Sequence, residues 1–228
     1  MSASERKRGE ISREAILEAA QFVFAEHGFD GARVDTIAQV SGYDKKLLFH
    51  YFRDKPGLYI EVLKQADREL NAWLSGMLTP WLARHALISQ TQGLRTFLET
   101  LVRMTFDYLV EHPRFLRILT WEMAEGWQTY VQIASHFARE EGDQVETLFQ
   151  EAQNARLLRS DFSPTIQLIL ILHLCQSYLA SLTLYQTMLP GLDISSATML
   201  THAREHLVTL IVAGMMIDPR PGTAEQEG

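Results

Sequence analysis

Lys45, Lys46, Phe49 and His50 fall on one arc of the stretch Lys45 to Phe52, and they carry the donors and flat rings that can meet base edges in a DNA groove. A lysine at the exposed start of a helix can donate to guanine O6 and N7. Presenting these side chains requires a second, preceding helix and a tight turn between the two. Val34 to Val40 reads as that short helix and Ser41-Gly42-Tyr43 as the turn. Ala38 is small where the helices approach most closely, Gly42 can take the positive φ of the turn, and Ile37 with Leu48 forms the apolar contact between them. The spacing is that of a helix-turn-helix.

Other chemistry is hard to find. His202 and His206 are four apart on one helical face, as two zinc ligands would be, but Glu205 lies off that face and no third ligand falls in phase, so no metal is expected. There is no Gly-rich phosphate loop, nucleophile elbow or distinguishable carboxylate pair. Neither enzymatic activity nor a cofactor is expected.

The elements that position the motif are helical almost throughout. Apolar residues recur at three and four, so the fold class is all-α with about nine helices. Ser12 reads as the cap of a first helix that Gly28 stops, and Asp54 as the cap of a fourth, with Pro56 in its first turn. Leu94 to Val110 and Pro113 to about Gly126 read as two more. Trp127 through Ala152 reads as one long helix, Ser163-Pro164 starts another lasting to Pro190-Gly191, and the last covers about Ser195 to Met216. The organisation expected is a DNA-binding module over 1–54, a ligand-binding and dimerisation domain over 55–217, and a disordered Pro/Gly/Glu-rich tail over 218–228.

Charge is unevenly placed. The chain carries a net charge of −7, yet residues 1–60 hold nine basic and nine acidic residues, so the acidity belongs to the C-terminal part and a DNA-binding N-terminus is allowed. The single cysteine, Cys175, excludes a disulfide framework and fits a reducing compartment; with Arg6-Lys7-Arg8 followed by no apolar stretch, a cytoplasmic location is expected. That cluster can also serve as a minor-groove arm. Between Asp161 and Asp193 lie 31 residues without a charge, long enough to span a membrane, but Gln167, His173, Gln176, Ser177, Ser181, Thr183 and Gln186 interrupt them. A helix buried on two sides, against its own core and a second subunit, is the expectation, and no membrane partner.

In the last helix Leu200, Ala203, Leu207, Leu210, Ile211 and Gly214 read as a seam for a homodimer built as a four-helix bundle. Met104, Tyr108, Trp121, Trp127, Tyr130, His173 and Tyr178 are the aromatic and flexible residues at helical spacing that suit a pocket for a small, mainly apolar effector.

Phe24-Ala25-Glu26-His27-Gly28-Phe29-Asp30-Gly31-Ala32, Ile37-Ala38, Ser41-Gly42 and Leu48 through Tyr59 resemble the N-terminal signature of TetR-family regulators over about residues 12–60. The resemblance implies a dimer whose recognition helices enter successive major grooves of double-stranded operator DNA, with Tyr51 and Lys55 on phosphates and Lys45, Lys46 and Leu47 facing bases. It also implies an effector pocket in the C-terminal helices and a repressor released by a small molecule. Four positions depart from the pattern. Arg33 replaces a capping Thr or Ser but can reach a phosphate; Lys46 and Leu47 replace Gly and Thr; Asp44 caps the recognition helix while repelling phosphate. The rival readings are an all-helical carrier or enzyme, and a DNA-binding regulator controlled by a protein partner.

Overall fold

The computed structural model describes residues 3–83, 90–133 and 140–217, and among these are eleven α-helices and no strand beyond an isolated bridge. They are α1 (Ala3–Gly31), α2 (Val34–Ser41), α3 (Lys45–Phe52), α4 (Lys55–Leu82), α5 (Thr91–Glu111), α6 (Pro113–Ala124), α7 (Gln128–Ile133), α8 (Glu140–Asn154), α9 (Pro164–Ala180), α10 (Leu182–Met188) and α11 (Ala197–Met215). The all-α expectation holds, with more helices than foreseen. Ser12 lies inside α1, where its hydroxyl bonds back to the Arg8 carbonyl at 3.0 Å, an arrangement a helix interior tolerates. Trp127 is in a turn at φ 62, so it does not begin the long helix foreseen; α7 and α8 are the described parts of that stretch, and Ala134 and Phe137 fall outside the described residues. The helix begun by Ser163-Pro164 ends at Ala180, where Ser181 N closes on the Tyr178 carbonyl, and α10 leaves at a 48° bend. No single described helix is long and apolar enough to cross a membrane.

The chain divides into two compact units, residues Met1–Leu74 with His112–Ala138, and Ser75–Glu111 with Arg139–Gly228. In the first, α1, α2, α3 and the start of α4 close over one core that includes Ile16, Val23, Phe24, Ile37, Leu48, Phe52, Leu58 and Tyr59, and Ile118 of α6 joins it. Phe24, Phe29 and Tyr59 form an aromatic cluster, with the Tyr59 ring centroid 4.7 Å from Phe24 and 5.1 Å from Phe29.

Gly28 breaks α1 at φ 67, ψ −179, a conformation open essentially to glycine. The break frees the Ala25 carbonyl, and α6 takes it: Arg117 Nε donates at 2.9 Å and Trp121 Nε1 at 3.1 Å. The Trp121 ring covers Gly28 so closely that a Cβ there would lie 2.9 Å from Cδ2.

In the second unit α5 packs against α9 and α11, and α9 against α8. Arg103 of α5 grips Glu205 of α11 through Nε and Nη2 at 2.8 to 3.1 Å, and Arg204 grips both Asp107 oxygens at 2.8 and 2.9 Å. Past α11, Ile217 N donates to the Leu157 carbonyl and Arg159 N to that of Met215, pinning the end of the helix to the loop after α8. The seam foreseen on α11 divides. Leu207 and Ile211 are buried in the chain's own core because they face α5 and α9, whereas Leu210, Ala213 and Gly214 lie outward in line with His202 and His206.

Substituting Gly28 by alanine forces both backbone strain and overlap with Trp121. G28A is expected to lose about 1 to 3 kcal/mol of stability in denaturant unfolding. The Arg103 guanidinium holds the Glu205 carboxyl below the usual glutamate range. Because the folded value is depressed, this stabilisation is present above the ordinary glutamate pKa and is lost as pH falls through the depressed one. Glu205→Gln is therefore expected to melt lower than the parent at neutral pH and to show a shallower loss in acid, read from melting temperatures across the acid range.

Candidate nucleic-acid interface

An eight-residue helix must be built by its surroundings, and α3 is. Asp44 caps it, accepting from Leu47 N at 2.8 Å. The turn before it depends on Gly42, at φ 74, whose N–H closes α2 on the Ala38 carbonyl at 3.1 Å. Ser41 Oγ bonds the same carbonyl and accepts from Tyr43 N, leaving the turn few unsatisfied groups. Leu48 and Phe52 anchor the inner face, and Ile37 meets them from α2. Arg33 occupies the cap of α2 without a side-chain bond, as its departure from Thr or Ser implies.

The foreseen contact residues separate by environment. Arg33, Lys45, Lys46, Phe49 and His50 are exposed, and the last four share the outer arc of α3. Lys46, Leu47 and His50 line an open surface depression with Gly42, Tyr43 and Asp44, so Tyr43 belongs to this surface although the sequence reading passed over it. Lys45 is paired with Asp35 of α2. Leu47 and Tyr51 are half-buried on the flank of the arc, Leu47 against the core. Tyr51 Oη lies 3.1 Å from Ser12 Oγ, tying α3 to α1. Lys55 Nζ donates to the Asp30 carbonyl at 3.3 Å and sits 4.7 Å from the Phe29 ring centroid, so it stands at the end of α1 as well as the start of α4. Lys7 and Arg8 are exposed in the first turns of α1; the side chain of Arg6 lies outside the described residues.

The candidate effector residues fall into two sets. Trp121, Trp127 and Tyr130 belong to the first unit, Met104, Tyr108, His173 and Tyr178 to the second. Tyr178 lies 6.1 Å from the Phe106 ring and 5.5 Å from that of Tyr185, and burial pushes its phenol pKa up.

Two family models cover most of this architecture. Residues 16–62 match "Bacterial regulatory proteins, tetR family", and residues 95–211 match "Tetracyclin repressor-like, C-terminal domain". The chain belongs to the TetR family. Among its relatives, the transcriptional repressor NicS of Pseudomonas putida is 28% identical over 75% of this chain and 77% of its own length. The regulator RutR of Escherichia coli is 32% identical over 50% and 49%. A solved structure of the Streptomyces coelicolor regulator SCO4942 is 27% identical with a TM-score of 0.58, covering 92% of this chain and 99% of its own. As a TetR-family member the chain is a ligand-responsive, DNA-binding transcriptional regulator, and the family is one of regulators and not of enzymes.

What the sequence did not reveal in this TetR-family chain is how firmly α6 is built into the unit that holds the recognition helix. Glu122 is fully buried. Its Oε1 accepts from the Tyr59 hydroxyl at 2.8 Å and its Oε2 from Tyr130 N at 3.0 Å, while its own carbonyl accepts from Trp127 N at 2.7 Å. One residue thus ties α6 to the second turn of α4 and to the start of α7. Burial, and then the Glu122 carboxylate, push the Tyr59 phenol far above its ordinary pKa, so it stays a donor. No motif marks Glu122; a lone glutamate beside Trp121 reads as helix surface.

Replacing Glu122 by leucine leaves the Tyr59 hydroxyl and the Tyr130 N–H without their acceptor in a buried place. E122L is expected to lose about 2 to 5 kcal/mol in denaturant unfolding, and Y59F about 1 to 2 kcal/mol. A loss below about 0.5 kcal/mol for E122L would show that the carboxylate does not hold these helices together.

Proposed function

We propose that two copies of this chain bind an inverted-repeat operator as a homodimer, repress transcription there, and release the DNA when a small, mainly apolar effector binds the domain that follows the recognition module. The observation that carries this reading is the outer arc of α3. Lys45, Lys46, Phe49 and His50 stand free of the core on a helix fixed by an N-terminal cap, a left-handed glycine turn and two buried anchors. Lys46 and Lys45 then read bases, with Leu47, Phe49 and His50 beside them. Arg33, Tyr51 and Lys55 take phosphates. The working division is 1–54 for DNA and 55–217 for ligand and dimer contacts, in the cytoplasm.

Two features support a homodimer. Ile166, Ile169, Leu170 and Leu174 form an exposed apolar stripe on α9, and Leu210 is exposed with Ala213 and Gly214 on α11. Small residues let a second helix come close, and the pair of stripes suits a two-fold four-helix bundle. Repression is favoured by the likeness to NicS, a transcriptional repressor. For release, α4 supplies the lever. Leu58, Tyr59, Val62 and Leu63 of its first turns lie in the core that holds α3, so a tilt of α4 moves the recognition helix away from the spacing of about 34 to 36 Å that successive major grooves require.

A footprint on DNA upstream of the chain's own gene tests the reading; a protein that protects no DNA there or elsewhere in random-site selection is the rival carrier. With an operator in hand, Lys55→Ala is expected to weaken all sequences alike and to lower the log–log salt slope by about 1. Lys45→Ala with Lys46→Ala is expected instead to relax base choice, losing about 1 to 3 kcal/mol on the cognate site and less on random DNA. Equal losses on both DNAs would remove the lysines from base reading.

A further inference from the structure

Gln176 lies on α9 in the second unit and is fully buried, yet among the described residues neither its Oε1 nor its Nε2 has a hydrogen-bond partner. Two other glutamines are buried in that unit, and both are used by the fold. Gln153 donates to the Arg159 and Phe162 carbonyls at 2.9 Å, and Gln167, whose Oε1 is left unpaired, donates to the Arg159 carbonyl at 2.7 Å, so both amides fasten the loop between α8 and α9 through their Nε2. Gln176 fastens nothing. Burying an amide with donor and acceptor both unpaired forfeits its hydration, and a leucine or methionine in its place would bury at no such cost. His173 stands one turn before it on α9, and the buried Cys175 and Leu179 flank it.

Resting on the reading of this unit as the effector domain, we propose that Gln176 is the polar recognition group of the effector site and that its ligand is a neutral molecule presenting N–H and C=O side by side, a lactam or a primary amide. A glutamine amide offers an acceptor and a donor in one plane, and such an edge matches both with two parallel hydrogen bonds. Neutrality follows from the surroundings. No lysine, arginine or histidine is buried among the described residues, and in this unit Arg103 and Arg204 are committed to Glu205 and Asp107. A buried carboxylate ligand would therefore lack a buried counter-charge, whereas a lactam needs none. The buried Cys175 and Leu179 beside Gln176 suit a ligand whose body is hydrocarbon or aromatic.

Thermal melting of the full-length chain tests this with matched probes at millimolar concentration, 2-quinolone against 1-methyl-2-quinolone and 1-naphthamide against its N,N-dimethyl derivative. The N–H compounds are expected to raise the melting temperature and the methylated ones to leave it unchanged. Gln176→Met, which keeps the volume, is expected to melt at or above the parent without ligand and to bind the N–H probes on the order of 10- to 100-fold more weakly. No shift with any probe, equal shifts from the N–H and methylated members of a pair, or a shift that survives in Q176M would overturn the proposal; a glutamine satisfied only by an internal water gives the first of these. The paired probes on the parent protein decide the matter even if Q176M does not fold. Gel shifts with operator DNA are scored separately, so a lactam response without DNA binding would spare the ligand assignment and overturn the regulator reading.

Discussion

An eight-residue helix has almost no stability of its own in water, and the arc that carries Lys45, Lys46, Phe49 and His50 is on one. Everything else in the first unit follows from the need to hold that helix from behind. Burying Leu48 and Phe52 contributes about 1.5 to 3 kcal/mol each, but only if α1, α2 and α4 close over them. That closure is why Ile16, Phe24, Ile37, Leu58 and Tyr59 all reach the same core. The local devices at the turn choose the geometry: the Asp44 cap fixes where α3 begins, and Gly42 fixes the angle at which it leaves α2.

The same core extends to α6, which lies far along the chain from α3. Three interactions of different kinds join it: Ile118 in the apolar cluster, Trp121 and Arg117 on the carbonyl freed by the break at Gly28, and Glu122 on Tyr59. A buried carboxylate is a weak source of net stability but a demanding one, because removing either partner strands the other. Its two oxygens are aimed at groups on α4 and α7, so the relative placement of α4, α6 and α7 is set to within hydrogen-bond tolerance. In a TetR-family regulator this makes α6 part of the body that carries the recognition helix.

The second unit is organised on a different principle. Its polar residues are sorted between structural and spare. The Arg103–Glu205 and Arg204–Asp107 pairs lock α5 to α11 at a half-exposed margin, where charges keep part of their hydration. The glutamines Gln153 and Gln167 fasten the loop that also receives the end of α11. Against that economy Gln176 stands out, buried as deeply and used for nothing within the described residues.

By itself the sequence determined the all-α class, the helix-turn-helix, and the outward arc of α3, because each depends on interactions within a few residues: the 3.6-residue period, a capping aspartate, a glycine that can turn left-handed. Those signals are local, so they survive in one dimension. Where the reading departed from the structure, the deciding force came from a distant segment. Ser12 looks like a cap until Tyr51 is seen to dock on it within a longer helix. The seam on α11 looks continuous until α5 and α9 claim Leu207 and Ile211 and leave Leu210 outside. Trp121 looks like one aromatic among several until it is found covering Gly28, Glu122 looks like ordinary helix surface, and nothing in one dimension separates Gln176 from the other polar residues of its helix. Burial is a property of what packs against a residue and not of the residue, so for these side chains only the tertiary structure decided which polar groups were paired, which were spare, and which helices they joined.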